Sequence, residues 1–160
     1  CIRDRSTPLH HDALRACATL ALKVAKVALI VCSLSYQLFH MKLLDSLFHL
    51  TDETHELPTR ATFQLDLQAD HPIFRAHFPG HPILPGVCAL QIVKELAERT
   101  WKSPLLLSEA KNIKYIAPIS PSEVSTLTID LSGEPSQLKA TLSQGDTTFA
   151  KLSLRFCSLS

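Results

Sequence analysis

The sequence predicts an α+β domain in which a single long helix interrupts a mostly antiparallel sheet. Three observations carry this. ATFQLDLQ (61–68) alternates Phe63, Leu65 and Leu67 against Gln64, Asp66 and Gln68, the period of a half-buried strand. From Pro85 to about Arg99 the apolar residues Val87, Leu90, Val93, Leu96 and Ala97 recur with helical spacing behind a proline suited to a first turn. Strand-like alternation then returns in LLLSEAKNIKYIAP, VSTLTIDL, SQLKATLS and TTFAKLSLRF, separated by Pro118, Pro121 and the turns SGEP and SQGD.

With 160 residues, 46% of them apolar, the chain can bury a core of its own as one domain. Its 16 basic and 15 acidic side chains leave a net charge of +1, too little to draw nucleic acid by its overall field. Five cysteines (Cys1, Cys17, Cys32, Cys88, Cys157), scattered and odd in number, form no disulfide framework and point to a reducing, cytoplasmic setting.

The elements are expected in the following order. Residues 12–38 read as an amphipathic helix whose polar stripe holds Asp12, Arg15, Thr19, Lys23, Lys26 and Ser33. As a membrane span it is poor, because Lys23 and Lys26 would each cost roughly 2.5–3.5 kcal/mol near a bilayer centre. An interfacial membrane helix is the alternative. The only methionine is Met41, so residues 1–40 are expected to be an extension outside the native protein, and 41–160 the folded domain. MKLLDSLF is read as a short helix and the sheet as starting at residue 61.

The helix is preceded by HFPGHPILPGV, residues 77–87. This stretch, with KNIKYIAPISPSEVSTL further on, resembles the 3-hydroxyacyl-acyl-carrier-protein dehydratases, whose motif has the form H-F-P-G-x-P-x-x-P-G-V. The resemblance runs from about Met41 to Ser160. It implies a hotdog fold: a long central helix wrapped by a curved, mostly antiparallel sheet, here with the N-terminal helix added. It also implies a dimer that joins two sheets, with an acyl tunnel at the interface.

Removing water from a 3-hydroxyacyl thioester requires a base for the proton next to the carbonyl, a donor for the enolate-like oxygen, and an acid for the departing hydroxyl. His77 is the candidate base, since an imidazole with a pKa of roughly 6.5 accepts protons at neutral pH. Pro79, Pro82 and Pro85 restrict the loop around it, and Gly80 permits a turn. Gly86 leaves a backbone N–H approachable at a helix start, where unpaired amides and the helix dipole polarise a carbonyl. By resemblance it is the carbonyl-binding amide. The family carries a Glu or Asp fourteen residues after the histidine and commonly a glutamine one turn later; this chain has Gln91 and then Glu95, the reverse order. A glutamine holds a hydroxyl but cannot give up a proton, so a water held between Gln91 and Glu95, or a shifted substrate, is expected to restore proton transfer. Phe78, Val87 and Leu90 are candidates for the tunnel lining.

Two other functions are open: a non-catalytic acyl-binding subunit that pairs with an active dehydratase, and a thioesterase in which Glu95 activates water. Plainer roles fit several residues. His71, His77 and His81 lack supporting ligands for a metal, and no cofactor is expected. His81 reads as a loop residue, Glu98 and Arg99 as a solvated helix end, and Cys88 as a small buried residue rather than a nucleophile. The expected partner is an acyl carrier protein, with Arg75, Lys111 and Lys114 as candidates for a patch that steers it.

Overall fold

A computed structural model describes residues 42–56, 59–76 and 80–158. The helix expected over residues 12–38, with the rest of the 1–40 extension, lies outside the described residues. Six strands form one sheet: β1 (Phe48–Glu56), β2 (Arg60–Leu67), β3 (Leu105–Tyr115), β4 (Thr126–Glu134), β5 (Gln137–Gln144) and β6 (Thr147–Ser158). Between β2 and β3 the chain forms the short helix α1 (Pro72–Ala76) and the long helix α2 (Gly86–Trp101).

The strand order is β1-β2-β4-β5-β6-β3, and every neighbouring pair is antiparallel. The alternation in the sequence sets which face is buried. Phe63 and Leu65 of β2, Leu127, Ile129 and Leu131 of β4, and Leu138 and Leu142 of β5 are almost fully buried. They share one core with Ile92, Val93, Leu96 and Ala97 of α2. Each such large side chain contributes about 1.5–3 kcal/mol by leaving water. The helix is buried around most of its circumference, Cys88, Ala89, Gln91 and Lys94 included.

Three expectations are corrected. MKLLDSLF is not a helix: Leu47 N–H bonds back to Leu43 O at 2.8 Å, and Asp45 turns left-handed with φ 66°. Leu43 and Leu47 are both buried, so their four-residue spacing serves a turn as well as a helix. The sheet starts at Phe48 rather than at residue 61, because β1 is an edge strand with little apolar alternation, FHLTDETHE. Glu98 is no solvated helix end: its Oε1 accepts Lys94 Nζ and the N–H of Leu105, each at 2.8 Å. Arg99 is exposed as expected, and its Nη2 donates to Glu53 Oε1 at 3.1 Å.

The helix stops where Lys102 adopts φ 50°, its N–H bonding to Glu98 O. Among the described residues no helix is long and apolar enough to cross a membrane.

Candidate active site

The start of α2 is built by proline and glycine. Pro85 sits at the N-cap in an extended conformation (φ −61°, ψ 139°), and its carbonyl accepts the N–H of Cys88 at 2.9 Å and of Ala89 at 3.2 Å. The N–H groups of Gly86 and Val87 precede those bonds and point out of the helix end. A peptide whose oxygen already accepts hydrogen bonds is a stronger donor at its nitrogen, so Pro85 O primes the Gly86 N–H.

Tyr115 occupies the space that a side chain at position 86 would need. A Cβ there would lie 2.6 Å from Tyr115 Oη and 2.7 Å from its Cζ. Tyr115, at the end of β3, donates its hydroxyl to Gly86 O at 2.8 Å. Burial lifts the phenol above its ordinary range, and the charge on a Cys88 thiolate would push in the same direction. The connection is tied a second time by Leu84 N–H to Ile119 O, at 2.8 Å. These segments line an open, mostly apolar cavity of about 400 Å³, bordered by Leu84, Pro85, Gly86, Ala89, Tyr115 and Ile119 among others. A larger cavity of about 730 Å³ lies at the opposite end of α2, among Glu53, Arg60, Arg99 and Lys102. At that end α2 presents carbonyls rather than amides, so the helix itself offers no donor to a thioester oxygen there.

One and two turns into α2 stand Gln91 and Glu95. Gln91 is 4% exposed, and its Nε2 donates to Glu95 Oε1 at 2.9 Å. The same carboxylate takes the backbone N–H of Leu43 on Oε1 at 2.7 Å and that of Leu44 on Oε2 at 2.9 Å. The structure thus brings Gln91 and Glu95 together, and ties the pair to the turn before β1.

The remaining predicted residues fall as follows. His77 and Phe78 lie outside the described residues, between the end of α1 at Ala76 and Gly80, whose φ of 90° meets the expected turn. Val87 and Leu90 are partly buried against the core, and the wall of the cavity at Gly86 comes from other residues. Cys88 is buried, and burial pushes its thiol up to about 11, so it carries no thiolate at neutral pH. His81 is exposed, and His71 Nδ1 accepts the N–H of Ile73 at 3.2 Å. Arg75, Lys111 and Lys114 are all exposed. Tyr115 and the Leu43–Leu44 amides escaped the sequence reading. The close approach implied by a glycine at a helix start is the one signal that pointed toward a neighbour such as Tyr115.

Comparison with known proteins fits this geometry. A profile of the ApeI-like family, described as ApeI dehydratase, matches residues 52–153. The chain belongs to the ApeI-like dehydratase family. It is 33% identical over 98 residues to the 3-hydroxyacyl-acyl-carrier-protein dehydratase FabZ of Chlamydia trachomatis serovar L2, covering 53% of this chain and 63% of that one. The dehydratase FabZ of a Wolbachia sp. from Drosophila simulans is 31% identical over 65 residues, 36% of this chain and 46% of its own. The chain therefore spans less than two thirds of the length of these curated relatives.

The dehydratase heterocomplex ApeI:P from Xenorhabdus doucetiae superposes with TM-score 0.61 at 23% identity, over 68% of this chain and 96% of that one. An uncharacterized protein from Erwinia carotovora subsp. atroseptica gives TM-score 0.57 at 25% identity, over 71% and 98%. The fold of this ApeI-like chain is accordingly the hotdog fold of the dehydratases.

Proposed function

We propose that this ApeI-like chain removes water from 3-hydroxyacyl thioesters carried on acyl carrier protein, giving 2-enoyl thioesters for fatty-acid or related lipid synthesis. His77 takes the proton from C2, and the electron pair moves towards the thioester oxygen, which the Gly86 N–H holds at the start of α2. As the C3–O bond breaks and the C2–C3 double bond forms, Gln91 holds the departing hydroxyl. The proton that completes water comes from Glu95 in its acid form, through a water held between Glu95 and Gln91; solvent afterwards returns a proton to Glu95 and takes one from the His77 imidazolium. Phe78, Val87 and Leu90 would flank the acyl chain.

The observation that carries this reading is the meeting of motif and geometry: the HFPGHPILPGV motif is complete in the sequence, and its Gly86 stands at a helix start beside a mostly apolar cavity. A carbonyl oxygen gaining charge there meets primed amides. The order of the strands supports assembly of two copies, because β3 is the last strand of the sheet and carries Leu106 and Tyr115 at about half exposure, with Ile116 just beyond it. A long edge that leaves apolar side chains exposed invites a covering strand.

A second reading is favoured by one specific feature. Gln91 stands where the family carboxylate is expected, and both oxygens of Glu95 already accept backbone amides. That arrangement suits a chain that binds the acyl group while a partner dehydratase supplies the acid, and the Xenorhabdus neighbour is itself a heterocomplex. Purified protein given 3-hydroxyacyl and 2-enoyl thioesters of acyl carrier protein separates the readings. Reversible hydration supports the dehydratase, binding without conversion the acyl-binding subunit, and free thiol a thioesterase.

A further inference from the structure

We propose that Tyr115 is a positioning residue for the carbonyl-binding start of α2, and that through the Gly86 carbonyl it primes Val87 N–H as a second donor to the thioester oxygen. The proposal rests on the reading of Gly86 as the carbonyl-binding residue. It starts from an asymmetry between two successive peptides. The Pro85–Gly86 peptide is primed from within the helix, because Pro85 O accepts the N–H groups of Cys88 and Ala89. The Gly86–Val87 peptide is primed from outside it, by the hydroxyl of Tyr115 at 2.8 Å. A hydrogen bond accepted at the carbonyl strengthens donation from the N–H of the same peptide. The first N–H groups of a helix all point out of its start, so the two primed amides face the same side.

Sterics make the arrangement specific. The phenol lies so close to Cα of Gly86 that a Cβ would sit 2.6 Å from Oη, so the tyrosine can hold this position only over a glycine. The bond from Leu84 N–H to Ile119 O holds the same two segments together. Tyr115 also borders the cavity, so its hydroxyl is anchored beside the space the thioester would fill. Since burial lifts the phenol above its ordinary range, the hydroxyl remains a donor throughout neutral and mildly alkaline pH.

Tyr115→Phe is the test, because it keeps the ring and removes only the bond. S-crotonyl-pantetheine labelled with ¹³C at the thioester carbonyl is bound to wild type and variant, and the carbonyl stretch is read by isotope-edited infrared difference spectroscopy. Steady-state hydration of the same compound is measured alongside. Wild type should lower the stretch relative to water and Tyr115→Phe should lower it less. The variant's kcat should fall about tenfold with KM nearly unchanged, a smaller loss than deletion of an oxyanion donor itself. If wild type shifts the carbonyl in a Tyr115-dependent way yet converts nothing, the positioning role stands and the dehydratase reading falls. Identical frequencies and rates in the two proteins would overturn the role of Tyr115 while leaving the dehydratase reading intact. A carbonyl unshifted by wild type would overturn both.

Discussion

Gln91 Nε2 and Glu95 Oε1 lie 2.9 Å apart on α2, and the Glu95 carboxylate also holds the backbone N–H groups of Leu43 and Leu44. This explains why the inverted order of amide and acid cannot be exchanged freely. A carboxylate accepts on both oxygens, whereas a carboxamide has one acceptor and turns an NH₂ on its other side. The double variant Gln91→Glu, Glu95→Gln restores the family order but sets that NH₂ against one of the two backbone N–H groups. It should gain dehydration rate while losing about 1–3 kcal/mol of stability, the cost of stranding a partly buried donor. Urea unfolding and an enoyl-thioester assay on the same preparation check both halves.

Gly86→Ala should separate activity from stability. The added methyl must displace Tyr115, which is 49% exposed and can swing into solvent. Stability should therefore fall by no more than about 1–2 kcal/mol, the mild end of overpacking. Turnover should fall by about 100-fold, as when an oxyanion donor is removed or displaced. Thermal unfolding and kcat/KM measured together check the separation.

Cys88 and Cys157 should differ sharply in reactivity. The buried Cys88 thiol is pushed up to about 11, while Cys157 is exposed. Brief iodoacetamide treatment of the native protein at pH 8, followed by peptide mapping, should label Cys157 and spare Cys88 until the protein is unfolded. The sign of the linkage follows from the raised value. The neutral thiol favours the folded state fully below the unfolded thiol's pKa of about 9, and that contribution is lost as pH rises through about 11. Cys88→Ala should flatten that alkaline decline in a pH series of urea melts.

Leu106→Asp should disrupt assembly. Leu106 is 47% exposed on β3, one of the two edges of the sheet, and a charge there opposes pairing with a second copy. Light scattering should show the mass falling from that of a dimer or larger assembly towards that of one chain, with the far-ultraviolet circular dichroism retained.

These contrasts also mark what the sequence disclosed. The helix from Gly86 and the strands β2, β4, β5 and β6 were legible because each buries one face, so periodicity and burial coincide. β1 escaped because an edge strand with little buried surface, FHLTDETHE, has no apolar period to display. The Leu43–Leu47 turn read as a helix because two buried residues four apart satisfy both. At the site, the proline and glycine loop and the Gln91–Glu95 pair were visible as spacing along one helix. Tyr115 was not, because its meeting with Gly86 depends on strand β3 returning beside the helix start, a contact 29 residues distant in the chain. The backbone amides held by Glu95 were hidden for the same reason.

The central claim is that His77 draws the C2 proton from a bound thioester. The direct measurement is the dehydration rate of a 3-hydroxyacyl thioester, unlabelled and deuterated at C2, for wild type and His77→Ala. The account predicts turnover by wild type, slowed by deuterium wherever proton abstraction limits the rate, and a fall of about 10²–10⁴-fold in His77→Ala, the contribution of a positioned general base. A His77→Ala protein that dehydrates as fast as wild type would contradict it.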